Sequence, residues 1–135
     1  MENENKPRIL ITEDDTENQR FLRMFLGKSF ITDICDSDVT LYENLSKNHY
    51  DVILMDISLK GGKNGLELTK ELKANPEFKD IPIVCLTAHA FKTDIENAIN
   101  AGVDIFLTKP IDNHVLMRTL LNAAKKNGSD DEMET

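Results

Sequence analysis

Side chains suited to metal and phosphate chemistry follow four short apolar runs of the sequence. The runs and the groups that follow them are 8–12 with Glu13 and Asp14, 52–55 with Asp56, 81–86 with Thr87, and 103–107 with Lys109. Short apolar runs of this kind are typical of strands buried on both faces of a parallel sheet. A carboxylate at the end of such a strand needs a partner or a function, because an unpaired buried charge is costly.

The types of these residues indicate one kind of chemistry if they meet. Carboxylate oxygens without histidine or cysteine suit a hard cation, and Mg²⁺ is the natural candidate. A lysine ammonium is a compact charge suited to a phosphate oxygen, and a carboxylate can act as the nucleophile that accepts a phosphoryl group. We therefore expect Glu13, Asp14 and Asp56 to hold the metal, with Thr87 and Lys109 facing the transferred group.

The elements around these residues predict that they do meet. Five strand-like runs, at 8–12, 30–35, 51–56, 81–86 and 103–107, alternate with five helical patterns. Asp15 or Thr16, Ser37 or Asp38, Asn64 and Asp112 can cap four of the helices, and Phe91, Ile95, Ala98 and Ile99 mark another. Strict alternation predicts an α/β fold, a doubly wound five-stranded parallel sheet with helices on both faces. Such sheets bind ligands at the carboxyl ends of their strands.

Composition narrows the classes of function. The 135 residues suffice for one domain, and a net charge of −8 argues against nucleic-acid binding. The apolar runs are too short to span a membrane, and the polar N-terminus lacks the apolar stretch of a secretory signal, so we expect a cytoplasmic protein. Cys35 and Cys85 lie in or beside apolar runs, which favours buried thiols over a disulfide or metal site.

Four segments together resemble the receiver domain of two-component response regulators, over about residues 7–125. The matching segments are 9–14, 51–56, 83–88 and 106–110. We accordingly expect a receiver domain at 7–125, between a disordered N-terminus at 1–6 and an acidic disordered tail at 126–135.

The resemblance implies a strand order of 2-1-3-4-5 and a role for each matching residue. Asp56 is the expected phosphoacceptor, and Glu13, Asp14 and the Ser58 backbone carbonyl are expected to bind Mg²⁺ with it. Thr87 is expected to sense the phosphoryl group, Lys109 to pair with it, and Phe106 to act as an aromatic switch. The Lys109–Pro110 bond is expected to be cis, and Ser58 and His89 to tune the lifetime of the phosphoryl group.

The loop after Asp56 departs from the family pattern. Lys60 stands where the family usually has proline, and Gly65 lies nine residues after Asp56 where the spacing is often eight. We therefore expect this loop to be one residue longer than usual.

The implied function is that of a single-domain response regulator. It would take its phosphoryl group from a phosphohistidine of a histidine kinase or a histidine phosphotransfer protein, with no catalysis beyond its own phosphorylation and dephosphorylation. Its output would be a surface at about residues 91–124 that binds a downstream protein.

Three alternatives stay open at this point. One is a receiver cut from a hybrid histidine kinase. Another is an FMN-binding electron carrier on the same fold, although the acids at 13–15 would repel the flavin phosphate. The third is a phosphatase with an aspartate nucleophile, for which the chain has little room to hold a substrate.

Overall fold

The computed structural model describes residues 6–57, 59, 62–88 and 91–128. For residues 126–128 it describes the backbone only. Strands and helices alternate along the whole described chain. The strands are β1 (Arg8–Thr12), β2 (Ile31–Cys35), β3 (Val52–Asp56), β4 (Ile83–Thr87) and β5 (Ile105–Thr108). The helices are α1 (Thr16–Leu26), α2 (Asp38–Lys47), α3 (Gly65–Ala74), α4 (Lys92–Ala101) and α5 (Asn113–Gly128). The predicted five-fold alternation is confirmed.

All five strands form one parallel sheet in the order β2-β1-β3-β4-β5, as predicted. The central strands β1, β3 and β4 are almost entirely buried, whereas most of β2 and all of β5 are only half-buried or exposed. The register places Thr12 beside Met55, Asp56 beside Leu86, and Thr87 beside Thr108. The carboxyl ends of the four strands β1, β3, β4 and β5 therefore lie side by side.

Apolar side chains from the helices cover both faces of the sheet. On one face, α1 and α5 pack leucines and alanines against Ile9, Ile11 and their neighbours. On the other face, α2 and α3 pack leucines against Leu10, Ile53 and their neighbours. Burial of this apolar surface is the main force that holds the helices on the sheet.

Helix α4 packs differently from the other helices. Its buried residues are the small Ala98 and Ala101. Phe91 and Ile99, which mark this helix in the sequence, are 75% and 62% exposed. The helix ends at Gly102, whose φ of 101° lies in the left-handed region that glycine adopts without strain. Helix α4 thus buries little apolar side-chain volume against the rest of the fold.

The residues that cap the helices are the predicted ones. Asp15, Ser37 and Asn64 each accept a backbone N–H of the first turn of their helices, and Asp112 accepts those of His114 and Val115. These caps fix where the helices begin after the strands, which positions the loops at the carboxyl edge.

Several predicted boundaries shift by one or two residues in the structure, and β4, for example, begins at Ile83 rather than at residue 81. Helix α5 continues to Gly128, so the predicted boundary at 125 falls within its last turn. Strand β5 begins at Ile105 rather than at residue 103. The reason lies in Asp104, whose carboxylate accepts the Ile83 N–H and pairs with the Lys73 ammonium at 2.8 Å, instead of projecting from a strand.

Candidate acidic site at the sheet edge

Three carboxylates converge where β1 and β3 end. One oxygen of each of Glu13, Asp14 and Asp56 lies within 4.8 Å of the others. Glu13 is buried, while Asp14 and Asp56 are half-buried and open toward solvent. The structure thus brings together the three acids that the sequence predicted as metal ligands, and their all-oxygen donor set fits Mg²⁺.

Local hydrogen bonds hold Glu13 in this arrangement. Its backbone N–H donates to the Cys35 carbonyl at 2.9 Å, and its backbone carbonyl accepts from the Gln19 amide at 2.6 Å. Its side-chain Oε2 accepts the backbone N–H of Asp15 at 3.1 Å. The chain therefore leaves β1 along a fixed path into α1, with the Glu13 carboxylate directed into the acid cluster.

The cluster has an unfavourable balance of charge without a cation. Burial raises the pKa of Glu13 above its ordinary value, and the nearby Asp56 carboxylate raises it further. The Asp15 N–H and the positive charge of Lys109 act in the opposite direction on this pKa. The electrostatics thus link Glu13 to both Asp56 and Lys109, and added positive charge would favour the ionised acids.

The backbone of Asp56 is held closely on two sides. Its N–H donates to the Thr12 hydroxyl at 3.1 Å. On the other side, α3 begins so near that a Cβ on Gly65 would lie 2.4 Å from the Asp56 carbonyl oxygen. Only glycine leaves room for this approach. Thr12 was not among the predicted site residues, although a polar residue that ends a buried strand is a signal of a specific contact.

Thr87 and Lys109 belong to one connected segment at the ends of β4 and β5. Thr87 is fully buried, and its backbone carbonyl accepts the Lys109 N–H at 2.8 Å. The bond between Lys109 and Pro110 is cis, as the family resemblance implied. Lys109 is half-buried, and its positive charge acts to lower the pKa of Glu13.

Phe106 lies on the same face of the sheet as Thr87. It is half-buried and pairs in register with Cys85, which precedes Thr87 by two residues.

Cys85 and Cys35 are buried, and burial raises the pKa of each thiol to about 12, so both remain protonated at neutral pH. They are the small buried residues that the sequence predicted.

Two of the predicted site residues, Ser58 and His89, lie outside the described residues, as does Lys60. Their predicted roles stay predictions.

Comparison with known proteins identifies the family. The family model of the response regulator receiver domain matches residues 9–121. The chain belongs to this family. The match, together with the acid cluster, favours a receiver domain of two-component signalling over the electron carrier and the phosphatase.

None of the helices in the described part of the chain combines the length and the apolar character that a membrane span requires.

Similar proteins include both separate regulators and parts of kinases. The polar-differentiation response regulator DivK of Brucella ovis is 35% identical over 104 residues, which cover 76% of this chain and 84% of DivK. The hybrid signal transduction histidine kinase I of Dictyostelium discoideum is 39% identical over 122 residues. That match covers 84% of this chain but only 7% of the kinase.

Solved receiver domains have the same fold. The receiver domain of a histidine kinase from Syntrophus aciditrophicus superposes with a TM-score of 0.84 at 25% identity, covering 91% of this chain and 93% of that one. The receiver domain of a sensor histidine kinase from Pseudomonas aeruginosa gives a TM-score of 0.79 at 29% identity, covering 88% and 98%. The latter structure has a magnesium ion coordinated in its active-site cleft.

Proposed function

We propose that Asp56 of this receiver domain accepts a phosphoryl group in the presence of Mg²⁺. The observation that carries the proposal is the meeting of three carboxylates at the sheet edge, with oxygens within 4.8 Å of one another. Glu13, Asp14 and Asp56 would hold the metal, together with the Ser58 carbonyl implied by the family. Bound Mg²⁺ would supply positive charge against the acids and the incoming phosphoryl oxygens.

The donor would be a phosphohistidine of a histidine kinase or a histidine phosphotransfer protein. A carboxylate oxygen of Asp56 attacks phosphorus, an O–P bond forms, and the N–P bond breaks with its electron pair returning to the imidazole nitrogen. The Lys109 ammonium would pair with a phosphoryl oxygen and stabilise the charge on the transferred group. Hydrolysis of the acyl phosphate by water would reset Asp56, at a rate that Ser58 and His89 are predicted to tune.

The phosphoryl group would act on the rest of the domain through Thr87. The phosphoryl oxygens would accept a hydrogen bond from the Thr87 hydroxyl, and this bond would draw the end of β4 and the following loop toward Asp56. The Thr87 carbonyl accepts a hydrogen bond from the Lys109 N–H, so the end of β5 and the loop into α5 would move with Thr87. Phe106, half-buried on the same face as Thr87, would turn inward into the space that opens.

The output would be a changed protein-binding surface at residues 91–124. The exposed Phe91, which precedes α4, and the exposed Ile99 of α4 lie within it and would give a downstream partner apolar contact. A partner must bind one of the two states better than the other for a signal to pass.

Labelling by a small phosphodonor tests the proposal. With acetyl phosphate and Mg²⁺, intact mass should show one labile phosphate adduct in the wild type. Asp56→Asn and chelation of the metal by EDTA should each abolish it.

A matched control is Asp15→Asn, because Asp15 lies in the same loop and asparagine caps helices as well as aspartate does. This variant should be labelled like the wild type. Equal labelling of Asp56→Asn, or undiminished labelling in EDTA, would overturn the proposal.

A second candidate is that the receiver is part of a hybrid histidine kinase, which the 39% identity to the Dictyostelium kinase favours. We propose a separate regulator similar to DivK as the first candidate. The mass of the native protein, recovered from its own cells with an antibody against this domain, distinguishes the two. A mass near 15.3 kDa supports the separate regulator, and a much larger mass supports the kinase.

A further inference from the structure

We propose that the hydroxyl group of Thr12 positions Asp56 for phosphoryl transfer. This inference rests on the proposed function of Asp56. Thr12 is the last residue of β1 and is only 1% exposed, so it is a positioning residue that does not touch the phosphodonor. Its role follows from three contacts that one oxygen atom makes with the neighbouring strand.

All three contacts of Thr12 Oγ1 are to consecutive residues of β3. The oxygen accepts the Asp56 N–H at 3.1 Å, and it lies 3.1 Å from both the Leu54 carbonyl oxygen and the Met55 sulfur. A hydroxyl has one hydrogen to donate, so it donates to Leu54 or Met55 while it accepts from Asp56. The hydroxyl therefore connects the end of β1 to the last three residues of β3, which end at Asp56.

This connection lies between the two segments that carry the acids. Thr12 is followed directly by Glu13 and Asp14, and its hydroxyl binds the backbone of Asp56 itself. The separation between the two groups of carboxylates therefore depends on a hydrogen bond that is at most two residues from each of them. Transfer reactions are sensitive to such placement, because an error of about 1 Å at the reacting atoms costs on the order of 100-fold in rate.

Packing alone does not account for threonine at this position. The other residues of β1 after Arg8 are Ile9, Leu10 and Ile11, and valine has nearly the shape of threonine. A valine would fill the same space in this buried strand and would leave the Asp56 N–H without this acceptor. A buried hydroxyl that meets hydrogen-bonding partners on β3 is thus better explained by those partners than by volume.

Two substitutions separate the hydroxyl from the shape of the side chain. Thr12→Val keeps the branched shape and removes the hydroxyl, whereas Thr12→Ser keeps the hydroxyl and removes the methyl group. With acetyl phosphate and saturating Mg²⁺, the rate constant of labelling should fall about tenfold in Thr12→Val and stay within about twofold of wild type in Thr12→Ser. Thr32→Val, a similar change at a half-buried position of β2, should leave the rate unchanged.

Hydrogen exchange of the Asp56 amide gives a second readout. The exchange rate of this amide, measured by NMR without a phosphodonor, should rise about tenfold in Thr12→Val and remain near the wild-type rate in Thr12→Ser. A role limited to general stability would instead raise the exchange of many amides in β1 and β3 together.

The outcomes distinguish this inference from the proposed function. If the wild type is not labelled on Asp56, the proposed function fails and the inference fails with it. If the wild type is labelled and Thr12→Val is labelled equally fast, only the inference is wrong. It is also wrong if Thr12→Ser is as slow as Thr12→Val, because the hydroxyl would then not be the group that matters.

Discussion

The two halves of the sheet's carboxyl edge are held in different ways. The ends of β1 and β3 carry the three acids, and hydrogen bonds with Thr12, Asp15 and Gln19 hold the backbones of Asp56 and Glu13 and the Glu13 side chain. Large apolar residues of α1 and α5 cover one face of both halves, since their cluster includes Val84 and Leu86 of β4. The difference lies in α4, which follows the end of β4 and connects it to β5, and in which the buried residues are only the small Ala98 and Ala101.

This difference suits two separate tasks. Phosphoryl transfer needs reacting groups held in place, which a closely packed and hydrogen-bonded region provides. A switch needs a region with two arrangements of similar energy, which sparse packing favours. The sparse packing of α4 therefore supports the proposal that the β1–β3 half performs the chemistry and the segment through α4 transmits the result.

The largest expected effect is on the rate of labelling, in substitutions of one residue from each half. Asp14→Ala removes a carboxylate from the metal cluster and should reduce labelling by acetyl phosphate by about 100-fold. Thr87→Ala alters the switch half and should slow labelling by no more than about tenfold. Phosphate incorporation over time, measured by intact mass, checks both rates. Comparable losses in the two variants would show that the halves do not divide the tasks in this way.

Stability should distinguish the packing of α5 from that of α4. Leu120→Ala empties a fully buried site of α5 and should lower the free energy of unfolding by about 3 kcal/mol. Ile99→Ala on the exposed face of α4 should change it by less than about 0.5 kcal/mol. Urea unfolding followed by circular dichroism measures both. An equal loss in the two variants would mean that α4 is packed as firmly as α5.

The smallest expected effect concerns the charge of Glu13. Its pKa is raised in the fold, so the folded protein binds this proton more tightly than the unfolded chain does. Its contribution to stability is therefore greatest at acid pH and is lost as the pH rises from the ordinary value of 4.5 through the raised value. Glu13→Gln removes this loss and should stabilise the metal-free protein at pH 7, with no gain below pH 4.5.

Urea midpoints at a series of pH values in EDTA check this prediction. Glu43→Gln, which neutralises an exposed acid of α2, is the control and should show little change at any pH. A gain in Glu13→Gln that does not depend on pH would contradict the charge argument.

Much of the fold was predictable because its signals are local. The apolar runs gave the strands, and Asp15, Ser37 and Asn64 were recognisable as caps within a few residues of the helices that they begin. The convergence of Glu13, Asp14 and Asp56 followed from the rule that ligands bind at the carboxyl ends of parallel strands.

The features that sequence analysis overlooked depend on contacts between distant residues. Thr12 meets Asp56 across 44 positions of sequence, so nothing near Thr12 indicates its partner. Asp104 was placed in β5 because its neighbours are apolar, but its bonds to Ile83 and Lys73 hold it before the strand. The exposure of Phe91 and Ile99 likewise depends on how α4 sits on the fold and not on its own pattern.

The link between the two halves of the edge is central to the proposed switch, and NMR chemical shifts test that link directly. Beryllium fluoride with Mg²⁺ would serve as a phosphoryl mimic on Asp56, in wild type and in Thr87→Ala. In the wild type, shift changes should extend from the acid cluster into residues 91–124. In Thr87→Ala they should stay within the cluster and its immediate neighbours. If the changes at 91–124 persist unaltered in Thr87→Ala, the signal does not pass through Thr87.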